Sequence, residues 1–227
     1  MLENQLSIVC RWAGESESWV TEFLFRATTI PSIKTIVIMG SAVRNVGHRR
    51  SDLDLLVLFC GKKPSLKPPL EVDIRMYAAD AADKQIESGQ EILCWAMKFG
   101  TPLYDPSQFW ESLRYKHGGR IPLPSIEEAL ERAQYAMTRA REMLAAGDDS
   151  AADDLILAAV TQVVRVQLLK NGIFPASRPE LPKQLEAISP HNPLSRILED
   201  SMYSEISPAM LFERLDRVYK FDVASTT

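Results

Sequence analysis

The chain has 227 residues, of which 46% are hydrophobic and 25% are charged, and its formal net charge is −4. This composition is typical of globular proteins and excludes disordered and collagen-like classes. A mildly acidic chain has no overall attraction for nucleic acid, whose binding rests mainly on Lys and Arg at phosphates. The charge balance therefore disfavours a duplex-binding module, although a local basic patch could still hold RNA.

The sequence also disfavours membrane, secreted and zinc-binding classes. No run approaches the ~18 apolar residues of a membrane span, and residues 1–11 lack the pattern of a signal peptide. The three cysteines, Cys10, Cys60 and Cys94, have no CxxC spacing. We therefore expect a cytoplasmic protein with reduced thiols, with Cys60 and Cys94 buried in their apolar runs.

The first half of the chain mixes short apolar runs with loops. Apolar residues at helical spacing predict a helix over residues 15–28, which Pro31 ends. Runs rich in β-branched and apolar residues predict three strands, at residues 34–39, 53–60 and 71–77. A short helix is predicted over residues 80–88. In residues 90–104 we expect a helix that turns into a strand at Lys98.

The second half is helical throughout. Pro and Gly residues between positions 102 and 124 predict a linker or domain edge. Helix starts are then expected at Ser125, Ser150 and Ser177, each followed three residues later by an acid, and at Pro193 and Pro208. The sequence thus predicts an α+β protein, with a mixed-sheet domain over residues 1–120 and an all-α helical bundle over residues 121–227.

The first candidate catalytic and ligand-binding residues lie in segment 40–58, which reads GSAVRNVGHRRSDLDLLVL. Gly40 lets the backbone approach a ligand closely, and Ser41 opens a short helix whose N–H groups could hold phosphate. Asp52 and Asp54 stand two positions apart at the start of a strand, so their side chains share a face. Two carboxylates so close are unfavourable without a cation between them, and Mg²⁺ is the natural choice.

A third carboxylate, Asp73, lies in the predicted strand 71–77. If this strand pairs beside the strand that carries Asp54, Asp73 completes a three-acid cluster. Two metal ions about 3.5–4 Å apart in such a cluster can hold the attacking and leaving oxygens of an in-line displacement. That geometry suits phosphoryl or nucleotidyl transfer.

These elements together resemble the signature of the DNA polymerase β-type nucleotidyltransferase superfamily. The match consists of Gly40-Ser41, a spacer of about ten residues, Asp52-Leu53-Asp54 and the later strand acid Asp73, within residues 36–77. The helical second half is similar to the C-terminal domain of the aminoglycoside (kanamycin-type) and minimal nucleotidyltransferases.

The resemblance implies that Asp52, Asp54 and Asp73 are catalytic and ligate Mg²⁺. Gly40 and Ser41 would hold the β- and γ-phosphates of a nucleoside triphosphate. An acceptor hydroxyl would attack the α-phosphate, and pyrophosphate would leave.

The spacer between the Gly-Ser turn and the first aspartates is basic. Arg44 and Arg49 are candidates for nucleotide binding, because guanidinium groups suit phosphate. Asn45 follows Arg44 where the family often has glycine, which leaves the role of Arg44 open. His48 and His117 show no metal-ligand spacing and are expected at the surface.

Several alternatives stay open at this stage. We expect transfer of AMP from ATP to a hydroxyl of a small molecule such as an aminoglycoside-like antibiotic, in a pocket that the bundle supplies. A protein or RNA acceptor, as in toxin–antitoxin nucleotidyltransferases, and a non-catalytic nucleotide-binding module are the alternatives. The candidates for the general base are Asp73, Asp153, Asp154 and Glu131. The oligomeric state is open as well, and a homodimer is one alternative.

Overall fold

We describe a computed structural model of the chain, which covers residues 17–44, 46, 52–70 and 72–224. Backbone contacts divide the chain into two compact units, Met1–Leu123 and Pro124–Thr227. The predicted boundary at residue 120 lies close to this division. Among the described residues, no helix has the length and apolar character that crossing a bilayer requires.

The first unit is built on a four-stranded sheet with the strand order β3-β2-β1-β4. Strand β1 (Ile33–Met39) pairs antiparallel with both β2 (Leu53–Phe59) and β4 (Thr101–Tyr104). Strand β3 (Val72–Ala78) pairs in parallel with β2. The predicted mixed sheet is therefore confirmed, and β3 forms one of its edges.

Helices cover both faces of this sheet. In the described part of the first unit the helices are α1 (Glu17–Thr28), α2 (Gly40–Val43), α3 (Ala79–Glu87), α4 (Glu91–Phe99) and α5 (Phe109–His117). Leu53 and Leu55 of β2 belong to the same core cluster as Leu24 of α1. Leu56 and Leu58, which point to the opposite face, are equally buried. On that side α3 contacts β2 and β3, and α4 and α5 contact β1.

The sequence predicts a linker or a domain edge between residues 102 and 124. Helix α5 lies inside this segment, so the linker alternative is wrong for residues 109–117. The carboxylate of Asp105 accepts hydrogen bonds from the N–H of Trp110 at 3.0 Å and from the hydroxyl of Thr35 at 2.8 Å. Trp110 itself is fully buried. The cap from Asp105 and the burial of Trp110 therefore stabilise a helix between the proline-rich start and the glycine- and proline-rich end of the segment.

The cysteines differ from each other in burial. Cys94 is buried in α4 as predicted, and this burial raises the pKa of its thiol to about 11. Cys60 is exposed, because β2 ends at Phe59 and the chain leaves the sheet there. The expectation that Cys60 is buried is therefore wrong.

The second unit is a helical bundle. Its helices are α6 (Ile126–Ala146), α7 (Asp149–Lys170), α8 (Leu181–Ile188), α9 (Pro193–Tyr203) and α10 (Pro208–Ala224). Helix α7 contacts the other four, and apolar residues from all five form one core cluster. The predicted bundle is confirmed.

Four of the five predicted helix starts are confirmed and one is wrong. Helices α9 and α10 begin at Pro193 and Pro208, as predicted. The hydroxyl of Ser125 accepts a hydrogen bond from the N–H of Glu128 at 3.1 Å, and Ser177 starts a capping box. Helix α7, however, begins at Asp149, and its cap is Asp148 rather than Ser150. The glycine that ends α6 has a φ of +74°, which turns the chain so tightly that the next residue already caps the following helix.

Asp200 is a buried carboxylate that joins α9 to α10. Its two oxygens accept hydrogen bonds from Arg196 of its own helix and from Arg214 of α10, each at 3.1 Å. The Asp200 side chain is only 10% exposed. Because hydrogen bonds to charged groups are strong when an acceptor is shielded from water, this pair of contacts stabilises the bundle.

We therefore expect Asp200→Ala to lower the free energy of unfolding by about 1–3 kcal/mol, measured by urea denaturation. The matched control is Glu213→Ala, which removes an acid from the exposed pair that Glu213 forms with Arg217. This control should change stability by less than about 0.5 kcal/mol. Equal losses in the two variants would contradict the role of Asp200.

Candidate functional site

Two of the predicted site carboxylates lie side by side on the sheet. Asp54 of β2 and Asp73 of β3 are register partners on these parallel strands, and both side chains are partly exposed. Register partners point to the same face of a sheet, and neighbouring strands lie about 4.8 Å apart. Like charges directly opposite each other are destabilising, so this position favours a nearby cation.

Asp52, the third acid, is exposed and lies directly before β2. Among the residues that the structure covers, the three aspartates do not form a group whose ligand atoms all lie within 4.8 Å of one another. Like charges repel, which opposes a closer approach of the three carboxylates. The structure thus brings Asp54 and Asp73 together, whereas metal ligation by all three acids stays a prediction.

The Gly40 turn packs directly against this acid pair. Met39, the last residue of β1, is the register partner of Asp54, and Gly40 follows it with a φ of +72°. A Cβ at Gly40 would lie 2.0 Å from the Oδ2 atom of Asp54 and 2.8 Å from its Cγ atom. Only glycine fits this position without displacing the carboxylate.

Two of the predicted nucleotide-binding residues, Ser41 and Arg44, have described contacts of their own. Ser41 lies in α2 and its carbonyl accepts a hydrogen bond from the N–H of Val46 at 3.2 Å. The guanidinium of Arg44 lies over the ring of Phe99, with its Cζ atom 4.8 Å from the ring centroid. Arg49 lies outside the described residues. Nucleotide binding by Gly40, Ser41, Arg44 and Arg49 stays a prediction.

Sequence reasoning missed one charged residue of the site, Arg75. Its Nη2 atom donates a hydrogen bond to the Oδ2 atom of Asp73 at 2.7 Å. The signal was present in the sequence, because residues 73 and 75 stand two positions apart in a predicted strand and so share a face. Arg75 therefore supplies a positive charge at the edge of the acid pair.

A second charged cluster lies between α3 and α5. Ligand atoms of Asp83, Glu87 and His117 lie within 4.8 Å of one another, which makes this a group that could hold a metal ion. The Lys116 ammonium, however, donates to Asp83 and, at 3.3 Å, to Glu87. The two carboxylates therefore already share a cation.

His117 is part of this second cluster, and its expected surface position is wrong. The side chain is only 8% exposed, and its Nε2 atom lies 2.7 Å from the Oδ1 atom of Asp83. It is buried because the α5 face that carries Trp110 and Leu113 also carries His117, one turn further along. His48, the other histidine expected at the surface, lies outside the described residues.

Neither a protein-family model nor a curated protein matches the chain significantly. Among solved structures, the chain is similar to a nucleotidyltransferase-like protein from Exiguobacterium sibiricum 255-15. The identity is 14%, the alignment covers 92% of this chain and 76% of that protein, and the TM-score is 0.43. A similarity of this size assigns neither a family nor an activity to this chain.

The Gly40 contact leads to a stability prediction with an internal control. Gly61 has nearly the same backbone angle, with a φ of +70°, but a Cβ there would meet no atom within 4 Å. Gly61→Ala should therefore lose only the cost of the left-handed backbone, about 1–2 kcal/mol. Gly40→Ala should lose about 0.5–1.5 kcal/mol more, because the Asp54 side chain must leave its position. Urea denaturation of both variants measures the difference, and equal losses would contradict the contact.

A pH prediction follows from the second cluster. Hydrogen bonds from Lys116 and then from His117 hold the pKa of Asp83 below its ordinary value. A carboxyl whose pKa is lowered by folding stabilises the protein above its unfolded pKa, and this stabilisation is lost as the pH falls through the folded pKa. In urea denaturation, Asp83→Asn should thus be less stable than wild type at about pH 7. The difference should shrink as the pH falls below 3.8, the ordinary pKa of this carboxyl. Asp80→Asn, on the same helix, is the control, and a difference that persists in acid would contradict the prediction.

Proposed function

We propose that this protein is a metal-dependent nucleotidyltransferase. The observation that carries this proposal is the register pairing of Asp54 with Asp73, beside the turn at Gly40. Two carboxylates and a closely packed glycine turn therefore lie together at one end of the sheet. This arrangement suits a reaction in which catalysis consists mainly of positioning and charge neutralisation.

The donor set fits Mg²⁺. Asp52, Asp54 and Asp73 offer hard carboxylate oxygens, and the partial exposure of Asp54 and Asp73 leaves room for water and phosphate oxygens. The repulsion between the paired carboxylates would be relieved by a cation held between them. A bound Mg²⁺ would neutralise part of the negative charge of the triphosphate.

The nucleotide would lie against the turn that follows β1. In the proposed complex the backbone N–H groups at Gly40 and Ser41 bind the β- and γ-phosphates. Arg44 and Arg49 add guanidinium groups, which match phosphate oxygens in geometry and charge. We propose ATP as the triphosphate, so that the transferred group is AMP.

In the proposed reaction an acceptor hydroxyl attacks the α-phosphorus of the nucleotide. A new oxygen–phosphorus bond forms as the bond to the departing pyrophosphate breaks, and the hydroxyl proton passes to a base. Asp73, Asp153, Asp154 and Glu131 are the candidate bases. Burial, followed by the neighbouring charge of Asp154, raises the pKa of Asp153 above its ordinary value.

We propose a small cationic molecule, such as an aminoglycoside-like antibiotic, as the acceptor. The net charge of −4 suits a cationic substrate. A second candidate is an RNA 3′ end. It is favoured by three exposed lysines, Lys62, Lys63 and Lys67, in the connection from β2 to β3, where they could contact phosphates.

The test is transfer of label from α-labelled ATP in the presence of Mg²⁺ to an aminoglycoside, to RNA and to total protein. Asp54→Asn and Asp73→Asn should each lower transfer by about 100-fold or more, because each removes a charge from the acid pair. Asp80→Asn removes an exposed carboxylate of α3 and should leave transfer unchanged.

The outcomes separate the alternatives. Label that enters only RNA or protein would exclude the small-molecule acceptor and keep the chemistry. If wild type and both variants are equally inactive toward all acceptors, and Mg²⁺ does not enhance ATP binding, the protein is a non-catalytic nucleotide-binding module.

A further inference from the structure

We propose that Arg75 is the built-in counter-ion of Asp73 and that it competes with a divalent cation for this carboxylate. Arg75 would then set the metal affinity of the site. This inference rests on the proposed function, because it concerns the acid pair that is proposed to hold the metal.

The geometry places the guanidinium where a metal would need to bind. The Nη2 atom of Arg75 lies 2.7 Å from the Oδ2 atom of Asp73, which is the distance of a charge-assisted hydrogen bond. Asp73 is also the register partner of Asp54. One oxygen of the acid pair is therefore already bound to a positive charge.

The formal charges of the site explain why the acid pair attracts a cation. Asp54 and Asp73 together carry two negative charges, and Arg75 contributes one positive charge on the same face of the sheet. A divalent ion carries twice the charge of the Arg75 guanidinium, so the two carboxylates attract it more strongly.

Exposure explains why the contact can be replaced. The Arg75 side chain is 53% exposed and the Asp73 side chain is 37% exposed. Ion pairs that water reaches to this extent are weak, since water competes for both charges. A divalent cation can therefore displace the guanidinium, but its apparent affinity is reduced by the contact that it breaks.

The experiment measures Mn²⁺ binding to the full chain by the loss of the free-ion signal in electron paramagnetic resonance. Arg75→Gln should bind Mn²⁺ about fivefold tighter than wild type, which corresponds to the strength of an exposed ion pair. The matched control is Arg26→Gln, which removes one arginine charge from the exposed pair with Glu22 on α1. Its affinity should stay within about twofold of wild type.

The Asp73→Asn variant tests the proposed metal site separately from the proposed competition by Arg75. This variant also separates Mn²⁺ at the acid pair from Mn²⁺ at the cluster of Asp83, Glu87 and His117. If Asp73→Asn binds Mn²⁺ as tightly as wild type, the proposed metal site fails, and the competition fails with it. If Asp73→Asn loses binding but Arg75→Gln binds no tighter than wild type, only the role of Arg75 is overturned.

A second measurement compares unfolding temperatures, first without metal and then with Mn²⁺. In EDTA, Arg75→Gln should unfold at a lower temperature than Arg26→Gln, because the acid pair has lost its counter-ion. Added Mn²⁺ should raise the unfolding temperature of Arg75→Gln more than that of wild type. Equal unfolding temperatures of the two variants in EDTA would overturn the counter-ion role.

Discussion

The parallel register between β2 and β3 is the constraint on which the proposed site depends. Leu53 pairs with Val72 and Leu55 with Ile74, and these apolar side chains belong to or pack against the core on the α1 side. A slip of one residue would turn every side chain of β3 to the opposite face. Burial of the apolar residues therefore holds Asp54 and Asp73 opposite each other, although their charges repel.

The connection between these strands decides at which end of the sheet the acids meet. Parallel strands need a crossover, and the described part of the segment from residue 60 to residue 71 contains no helix. Leu66 packs against the core on the α1 side as the chain returns. An antiparallel hairpin would have placed the start of β3, and Asp73 with it, at the far end of β2.

The two charged clusters of the first unit differ in the cations that suit them. The pair of Asp54 and Asp73 offers carboxylate oxygen, the ligand that Mg²⁺ prefers, and its own cation, Arg75, is exposed. The cluster around Asp83 includes the imidazole nitrogen of His117, which suits softer transition metals, and there Lys116 contacts two carboxylates. Magnesium chemistry therefore fits the acid pair of the sheet better.

The sequence by itself determined the features that depend on local contacts. Pattern and local side-chain preference predict the strand that carries Asp54 and the capped helix starts at Ser125 and Ser177. The tertiary structure decided what depends on residues distant in the chain. These are the pairing of Asp73 with Asp54, the cap that Asp105 provides for α5, and the burial of His117 against α3. Local preference cannot fix such contacts, because they form only when the sheet and its covering helices pack together.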